Sequence, residues 1–272
     1  MGRPRYRPAS LVGAIVTLAL AVNACTSSGA STAPTASPSP SATAADPYQQ
    51  TWVDTQPCPV ADAPDLPAGT GCVTSAVGDL DGNGTPDRLV VFARLANRMP
   101  ASWWAEAIVD GTATPAVQLP YGQAVGGDDT VSPRAVGAAD ANGDGRADAF
   151  VALSAELFHS GAQPIDAIYD VTDGRITAAT SGGRLFLFRT GGISRYGQGA
   201  VCGQSGGTHT FTIGHVEQVP GAWAWTKRTY VWRGLTLVRG AASAGRLPAD
   251  LVINDPRVFH FYRLICGSLQ TS

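Results

Sequence analysis

Two short loops rich in oxygen-bearing side chains carry the clearest chemical signal in the chain. They span residues 79–87 and 140–148, and both have glycine at positions 4 and 6. Calcium takes six to eight oxygen ligands at roughly 2.3–2.6 Å, and a tight loop can turn alternate residues toward one centre. The spacing therefore predicts two calcium sites. Their ligands would come from positions 1, 3, 5, 7 and 9, which are Asp79, Asp81, Asn83, Thr85 and Asp87 in the first loop and Asp140, Asn142, Asp144, Arg146 and Asp148 in the second.

Position 7 of each loop is expected to contribute only its backbone carbonyl group, so its side chain is free to vary. Position 12 differs from the calcium loop of helix–loop–helix proteins, where a bidentate glutamate closes the coordination shell. Here that position is Val90 or Val151, and each lies in an apolar run that is typical of a strand. We therefore expect the aspartate at position 9 to complete the shell, and each loop to join two strands.

The alternative is that both segments are acidic turns without metal, since Asp, Asn and Gly also favour ordinary turns. Two observations favour the metal. The same ligand spacing returns after 61 residues, and each loop holds three aspartates whose mutual repulsion would cost stability without a cation.

The loop pattern resembles the FG-GAP/VCBS repeat family, whose blades carry D-x-[DN]-x-[DN]-G-x-x-D followed by a strand. The resemblance covers the two loop segments and implies repeated β units that stack as propeller blades. We expect two such units, at about residues 73–110 and 134–171. They would form either a smaller open β-fold or a partial propeller whose later blades have lost the loop.

Strand-like runs of β-branched and aromatic residues recur along the chain, and no long amphipathic helix stands out. We therefore predict an all-β globular domain over residues 48–272 that ends in a β meander at about 180–272. A tight turn is expected at 233–234, and residues 152–158 are the one candidate for a short helical turn. The predicted strands are 73–77, 88–93, 103–109, 149–153, 165–171, 184–188, 208–213, 223–232, 235–238 and 258–264.

The N-terminus has the pattern of an export signal. Three arginines among the first seven residues precede an apolar run over 11–22, which is too short to span a bilayer as a stable helix. Val22-Asn23-Ala24-Cys25 follows and resembles the lipobox of bacterial lipoproteins. This resemblance implies a signal peptide over residues 1–24, cleavage before Cys25 and attachment of a diacylglyceryl group to the Cys25 thiol. The alternative is an ordinary secretory signal.

Residues 25–47 are mostly Ser, Thr, Ala and Pro, a composition that favours an extended tether. Two or more acyl chains would anchor such a protein stably, since each buried methylene adds ~0.8 kcal/mol to membrane affinity. The expected location is the extracytoplasmic face of the cell membrane. No second apolar run of roughly 18 residues indicates a transmembrane helix.

Four cysteines remain once Cys25 is set aside, and an even number in an exported chain favours disulfides. Three pairings are open. Pairing between sequence neighbours closes the shorter loops and gives Cys58–Cys72 and Cys202–Cys266, which we expect. A zinc site is disfavoured because the chain has no C-x-x-C pair.

Composition argues against a nucleic-acid partner. Without the three arginines of the signal, 16 basic residues stand against 21 acidic ones. The segment Gly203-Gln204-Ser205-Gly206-Gly207 matches the G-x-S-x-G of a nucleophile elbow, but a strand pattern follows it where the elbow requires a helix. No catalytic residue is therefore assigned. Five tryptophans could form a sugar-stacking surface, although packing is their commoner role: Trp103, Trp104, Trp223, Trp225 and Trp232.

These observations predict a lipid-anchored, exported, calcium-binding β-protein. We expect it to be non-catalytic rather than an enzyme. Its expected role is recognition or structure at the cell envelope, with a polysaccharide or a protein as ligand. The alternative is an exported hydrolase or carbohydrate-binding protein on a β scaffold.

Overall fold

The computed structural model describes residues 66–158 and 161–271, and nearly every element in them is a β-strand. All of these residues belong to one of the two units of the chain, Ala44–Ser272. The predicted signal peptide, the tether, Cys25 and Cys58 lie outside the described residues. The prediction of a mainly β fold is confirmed, because the strands form three largely antiparallel sheets.

The described residues form nineteen strands, which range from two to thirteen residues in length. A four-residue helix, α1 (Pro256–Phe259), and two 3₁₀ turns at Gly122–Val125 and His260–Tyr262 complete the elements. In chain order the strands are β1 (Thr70–Gly78), β2 (Asp87–Ala96), β3 (Met99–Val109), β4 (Thr112–Ala113), β5 (Val117–Gln118), β6 (Arg134–Ala139), β7 (Asp148–Phe158), β8 (Gly161–Thr172), β9 (Arg175–Ala178), β10 (Thr180–Ser181), β11 (Arg184–Leu185), β12 (Leu187–Arg189), β13 (Gly191–Ile193), β14 (Tyr196–Ser205), β15 (Thr208–Val219), β16 (Ala222–Arg233), β17 (Thr236–Pro248), β18 (Leu264–Cys266) and β19 (Leu269–Gln270).

The first and second sheets repeat one plan. In the first, β1, β2 and β3 form an antiparallel meander, and the 79–87 loop joins β1 to β2. In the second, β6, β7 and β8 form the same meander, and the 140–148 loop joins β6 to β7. The first strands of the two meanders lie together, since the Ala135 N–H donates to Thr74 Oγ1 at 2.9 Å.

The second sheet is central, because its strands are buried on both faces. Val151 and Tyr169 point toward the first sheet and join a core that contains Trp103. Phe150 and Ile168 point the other way and join a core built with the third sheet. The unbroken apolar run over 149–153 follows from this position, since a strand covered on both faces has no polar side.

The third sheet is dominated by the long meander β14–β17. The predicted Cys202–Cys266 disulfide is confirmed, with 4.7 Å between the two Cα atoms. It joins β14 to the short strand β18 near the C-terminus. Cys72 is also disulfide-bonded, and since Cys58 lies outside the described residues the Cys58–Cys72 pairing stays a prediction.

Three local predictions were wrong. The 258–264 strand is instead α1, a 3₁₀ turn and the start of β18, because Asp255 caps the helix and Pro256 starts it. The candidate helical turn at 152–158 belongs to β7. The 184–188 strand is split between β11 and β12, which belong to different sheets.

Glycine explains why the segment after α1 packs flat against the third sheet. A Cβ atom at Gly199 would lie 2.5 Å from the His260 carbonyl oxygen, and one at Gly214 would lie 2.7 Å from the Phe261 ring. Only glycine leaves room for these side chains and this backbone. Within the described part of the chain, no helix is both long enough and apolar enough to cross a membrane.

Candidate metal centre

The first loop is held in a ring by its own aspartates. Asp79 accepts from the backbone N–H groups of Gly82 (Oδ1, 2.8 Å) and Gly84 (Oδ2, 2.8 Å). Asp87 closes the ring by accepting from the Leu80 N–H at 3.0 Å. Positions 1 and 9 therefore organise the backbone between them.

The second loop makes the same bonds at the same positions. Asp140 accepts from the N–H groups of Gly143 at 2.6 Å and Gly145 at 3.1 Å. Asp148 accepts from the Ala141 N–H at 2.9 Å. The repeat seen in the sequence therefore has a counterpart in the loop conformation.

Glycine at positions 4 and 6 is required by the backbone. The φ angles are 83° at Gly82 and 87° at Gly84 in the first loop, and 80° at Gly143 and 88° at Gly145 in the second. L-residues with a Cβ atom rarely adopt such angles. These two left-handed positions let the chain of each loop fold back on itself, which places its N–H groups at positions 4 and 6 beside the position-1 carboxylate.

Three carboxylates converge in the first loop. Asp79, Asp81 and Asp87 each offer a carboxylate oxygen within 4.8 Å of the other two. Two oxygens on opposite sides of a calcium ion would be about 4.6–5.2 Å apart, so the spacing fits a cation of this size. Asn83 lies beside this group, since its Nδ2 donates to Asp81 Oδ2 at 3.0 Å, while its Oδ1 accepts from the Thr85 N–H at 2.7 Å.

Asp110 joins the first loop from the end of β3, and the sequence spacing did not predict it. Asn83 Nδ2 donates to Asp110 Oδ1 at 3.0 Å, and the Asp110 N–H donates to Asp87 Oδ1 at 3.2 Å. Because β2 pairs with β3, residue 110 comes to lie beside residue 87. The loop motif does not include Asp110. Counting residues along the β2–β3 hairpin could have placed it beside Asp87, because the two strands pair in antiparallel register.

The second loop has an internal counter-ion. Arg146 Nη2 lies 2.6 Å from Asp144 Oδ2 and 3.5 Å from Asp170 Oδ2. Arg146 stands at position 7, where only a carbonyl contribution was expected, and its guanidinium holds the position-5 carboxylate. Among the described residues, three acidic groups within the 4.8 Å spacing occur in the first loop only.

Burial makes the second loop electrostatically costly. Asp148 has no exposed surface. Its burial raises its pKa to about 8, and the negative charges of Asp170 and Asp144 also raise it. Hydrogen bonds from the backbone N–H groups of Ala141 and Asn142 lower it but do not outweigh burial. Burial also opposes ionisation of Asp144, but its hydrogen bonds with Arg146 outweigh that effect and lower its pKa. A divalent cation would favour the ionised form of Asp148 directly.

The two loops lie in contact. The Ala147 N–H donates to the Asp79 carbonyl oxygen at 2.7 Å. A Cβ atom at Gly82 would lie 2.9 Å from Arg146 Cγ, so the arginine stem packs on the first loop. On the other side of the second loop, a Cβ atom at Gly143 would lie 2.1 Å from His209 Nε2. An ion bound in one loop would therefore affect the conformation of the other.

The segment 203–207 is part of a hairpin. Ser205 ends β14, Gly206 and Gly207 form the turn, and β15 begins at Thr208. A nucleophile elbow needs a helix at this point. The backbone therefore does not present Ser205 as a nucleophile.

The tryptophans are divided between core and surface. Trp103 is fully buried and Trp223 is 2% exposed, so neither can stack on a sugar. Trp104 lies under the Arg94 guanidinium, with 3.9 Å from Cζ to the ring centroid. A shared stacking surface of all five rings is excluded.

Comparisons of the chain with protein-family models, with curated proteins and with solved structures found no significant match. Two loops with matching backbone hydrogen bonds lie in contact, and the first of them brings three carboxylates together.

Proposed function

We propose that this protein is a lipid-anchored, exported, calcium-binding β-protein that acts as a non-catalytic recognition or structural module at the cell envelope. The observation that carries the proposal is the matched bonding of the two loops, together with the convergence of Asp79, Asp81 and Asp87 within 4.8 Å. Carboxylate, amide and carbonyl oxygens are the ligands that calcium prefers.

The ions would act on stability. Each loop joins the first two strands of a meander, and the loops connect the first and second sheets through the Ala147–Asp79 hydrogen bond. Calcium that binds only the folded loop adds its binding free energy to the free energy of unfolding. The two meanders would thus correspond to two FG-GAP/VCBS-like units, with the third sheet as a meander without a calcium loop.

The export and lipid-anchoring part of the proposal is supported by the sequence at the N-terminus. The apolar run and the Val22–Cys25 segment resemble a lipoprotein signal, and the tether composition separates it from the folded domain. The disulfide between Cys202 and Cys266 suits an oxidising compartment.

Replacing Asp79 with Ala should remove most of the calcium stabilisation of the first loop, because position 1 offers a ligand oxygen and also holds Gly82 and Gly84. At a calcium concentration of 100 times the dissociation constant, one site contributes about 2.7 kcal/mol. Thermal melting in calcium and in chelator measures the difference. Asp173→Ala, an exposed turn aspartate of equal charge, is the matched control. The same response to calcium in Asp79→Ala as in Asp173→Ala would count against a site in this loop.

A further inference from the structure

The third sheet carries a cavity on the face that points away from the second sheet. Its volume is about 360 Å³, and its polar lining comes from Lys227, His260, Thr212, Thr229 and Ser243. Lys227 pairs with Gly214 on β15 and with Ser243 on β17, so these side chains share one face of the sheet. We call this the Lys227 cavity.

The cavity exists because glycine replaces side chains on the sheet while the segment 256–262 stands above it. Gly199 and Gly214 line the cavity and have no side chain to fill it. Phe261 packs over Gly214, and His260 follows α1 at the rim. The cavity therefore lies where the segment 256–262 ends over glycines of the sheet, which have no side chains.

Lys227 is the only lysine of the chain, and its charge has no acidic partner in residues 66–158 or 161–271. Its Nζ lies 5.0 Å from the centroid of the Phe261 ring and 5.5 Å from that of Trp225. Such ring contacts attract a cation and hold it in place, but they do not supply a counter-charge. A half-buried ammonium group of this kind favours an anion.

The hydroxyl groups define the second requirement. Thr212 Oγ1 and Thr229 Oγ1 are hydrogen-bonded to each other at 3.1 Å, so one of the two hydroxyl groups keeps a free proton that it can donate to an oxyanion. His260 Nδ1 lies 3.1 Å from the Pro256 carbonyl oxygen, which only accepts, so Nδ1 carries the proton. Burial lowers the pKa of His260, which favours the neutral ring. Its Nε2 is shielded from solvent, so this atom does not face the cavity.

The charge of the surrounding region favours anions over a longer range. Residues 180–271 hold ten Lys or Arg against three Asp or Glu, which gives a formal charge of +7. Residues 66–179 hold six against fourteen, which gives −8. A small anion is therefore attracted to the third sheet and repelled by the metal centre.

We propose that the Lys227 cavity binds a small oxyanion, of which hydrogen phosphate is a simple member. The oxyanion would bind the Lys227 ammonium and the free hydroxyl group of the threonine pair. The cavity lies within the roughly 300–1,000 Å³ of small-molecule sites, which leaves room for an organic group attached to the anion.

The test uses inorganic phosphate and sulfate at pH 7 and the full-length protein. Because the chain has one lysine, ¹⁵N-lysine labelling gives a single side-chain ammonium signal, which should shift and saturate with phosphate at about 1 mM. Sulfate is a tetrahedral oxyanion of similar size, so calorimetric titration should show saturable binding within about fivefold of that of phosphate.

The variants separate a built site from general charge. Lys227→Met should weaken phosphate binding by about tenfold or more in calorimetry, and Lys227→Arg should restore part of it. Arg239→Gln, an exposed change of equal charge on β17 outside the cavity, should leave binding within about twofold. Circular dichroism and the melting temperature check that Lys227→Met is folded.

Three results would overturn the proposal. They are a shift that grows linearly without saturation, an equal loss of phosphate binding in Arg239→Gln and Lys227→Met, and no binding of sulfate at concentrations where phosphate saturates. Binding to phosphatidylglycerol vesicles without saturable binding of phosphate would also contradict it, since the occupant would then be a membrane surface.

Discussion

Asp148→Asn is expected to stabilise the calcium-free protein and to destabilise the calcium-bound protein, each relative to wild type. In the absence of metal, the buried Asp148 carboxyl group lies beside Asp144 and Asp170, and its pKa is raised by burial to about 8. Since the folded-state pKa lies above the unfolded value of 3.8, ionisation opposes folding at pH values between the two. Asparagine keeps an acceptor for the Ala141 N–H and removes this cost.

The expected gain in chelator at pH 7 is about 4 kcal/mol, from about three pH units between the unfolded pKa and the buffer. In calcium at about 10,000 times the dissociation constant the sign reverses, because a charged ligand is lost from the second loop and the site then contributes about 5.5 kcal/mol less, which exceeds this gain. Denaturant unfolding in chelator and in calcium measures both values. Asp173→Asn is the control for charge. A change of the same sign in both conditions would show that Asp148 does not face an ion.

The stability of the protein in saturating calcium is expected to fall as the pH rises from 4 to 7. Asp166 is 2% exposed, and this burial raises its pKa to about 7. A hydrogen bond from Thr190 and the positive charge of Arg134 lower the pKa but do not outweigh burial. Between pH 3.8 and 7 the native state keeps this proton and the unfolded state releases it, so rising pH favours unfolding. The loss from this group is about 4 kcal/mol over the interval.

Asp166→Asn isolates this contribution. The variant cannot ionise, so the free energy of unfolding should lose about 4 kcal/mol of pH dependence relative to wild type. Urea unfolding at several pH values gives both curves. Other buried acids, such as Glu106, whose pKa is also raised by burial, contribute equally to the two proteins and cancel in the difference. Parallel curves would mean that Asp166 is ionised in the native protein throughout this range.

The sequence was informative where structure is local. The loop motifs fix ligand spacing and glycine positions within nine residues, and the hydrogen bonds of Asp79 and Asp140 repeat position by position. The strand runs were visible because the second sheet is buried on both faces. β6 and β14 were not predicted, because each is rich in Ala and Gly and holds a single β-branched residue, Val136 or Val201.

The parts that sequence reasoning missed depend on long-range contact. Asp110 reaches the first loop only because β2 pairs with β3, and Asp170 meets Arg146 only because β8 lies beside the second loop. The helix α1 was missed because the aromatic run after it resembles a strand, whereas the glycines that accommodate it lie on β14 and β15. No local pattern carries this information.

The contact between the loops has a consequence for how the ions bind. The Arg146 stem packs on Gly82 of the first loop while its guanidinium holds Asp144 of the second. Calcium in the second loop must compete with this guanidinium for the Asp144 carboxylate. We therefore expect the first loop, where position 7 is Thr85, to bind calcium more tightly.

The most direct test of the account is the number of calcium ions that the protein binds. Isothermal titration of the chelator-treated protein should give two sites per chain, with the weaker one lost in Asp148→Asn and the tighter one lost in Asp79→Ala. Absence of any calcium binding at millimolar concentration, or a stoichiometry unchanged in both variants, would contradict the claim that these two loops are calcium sites.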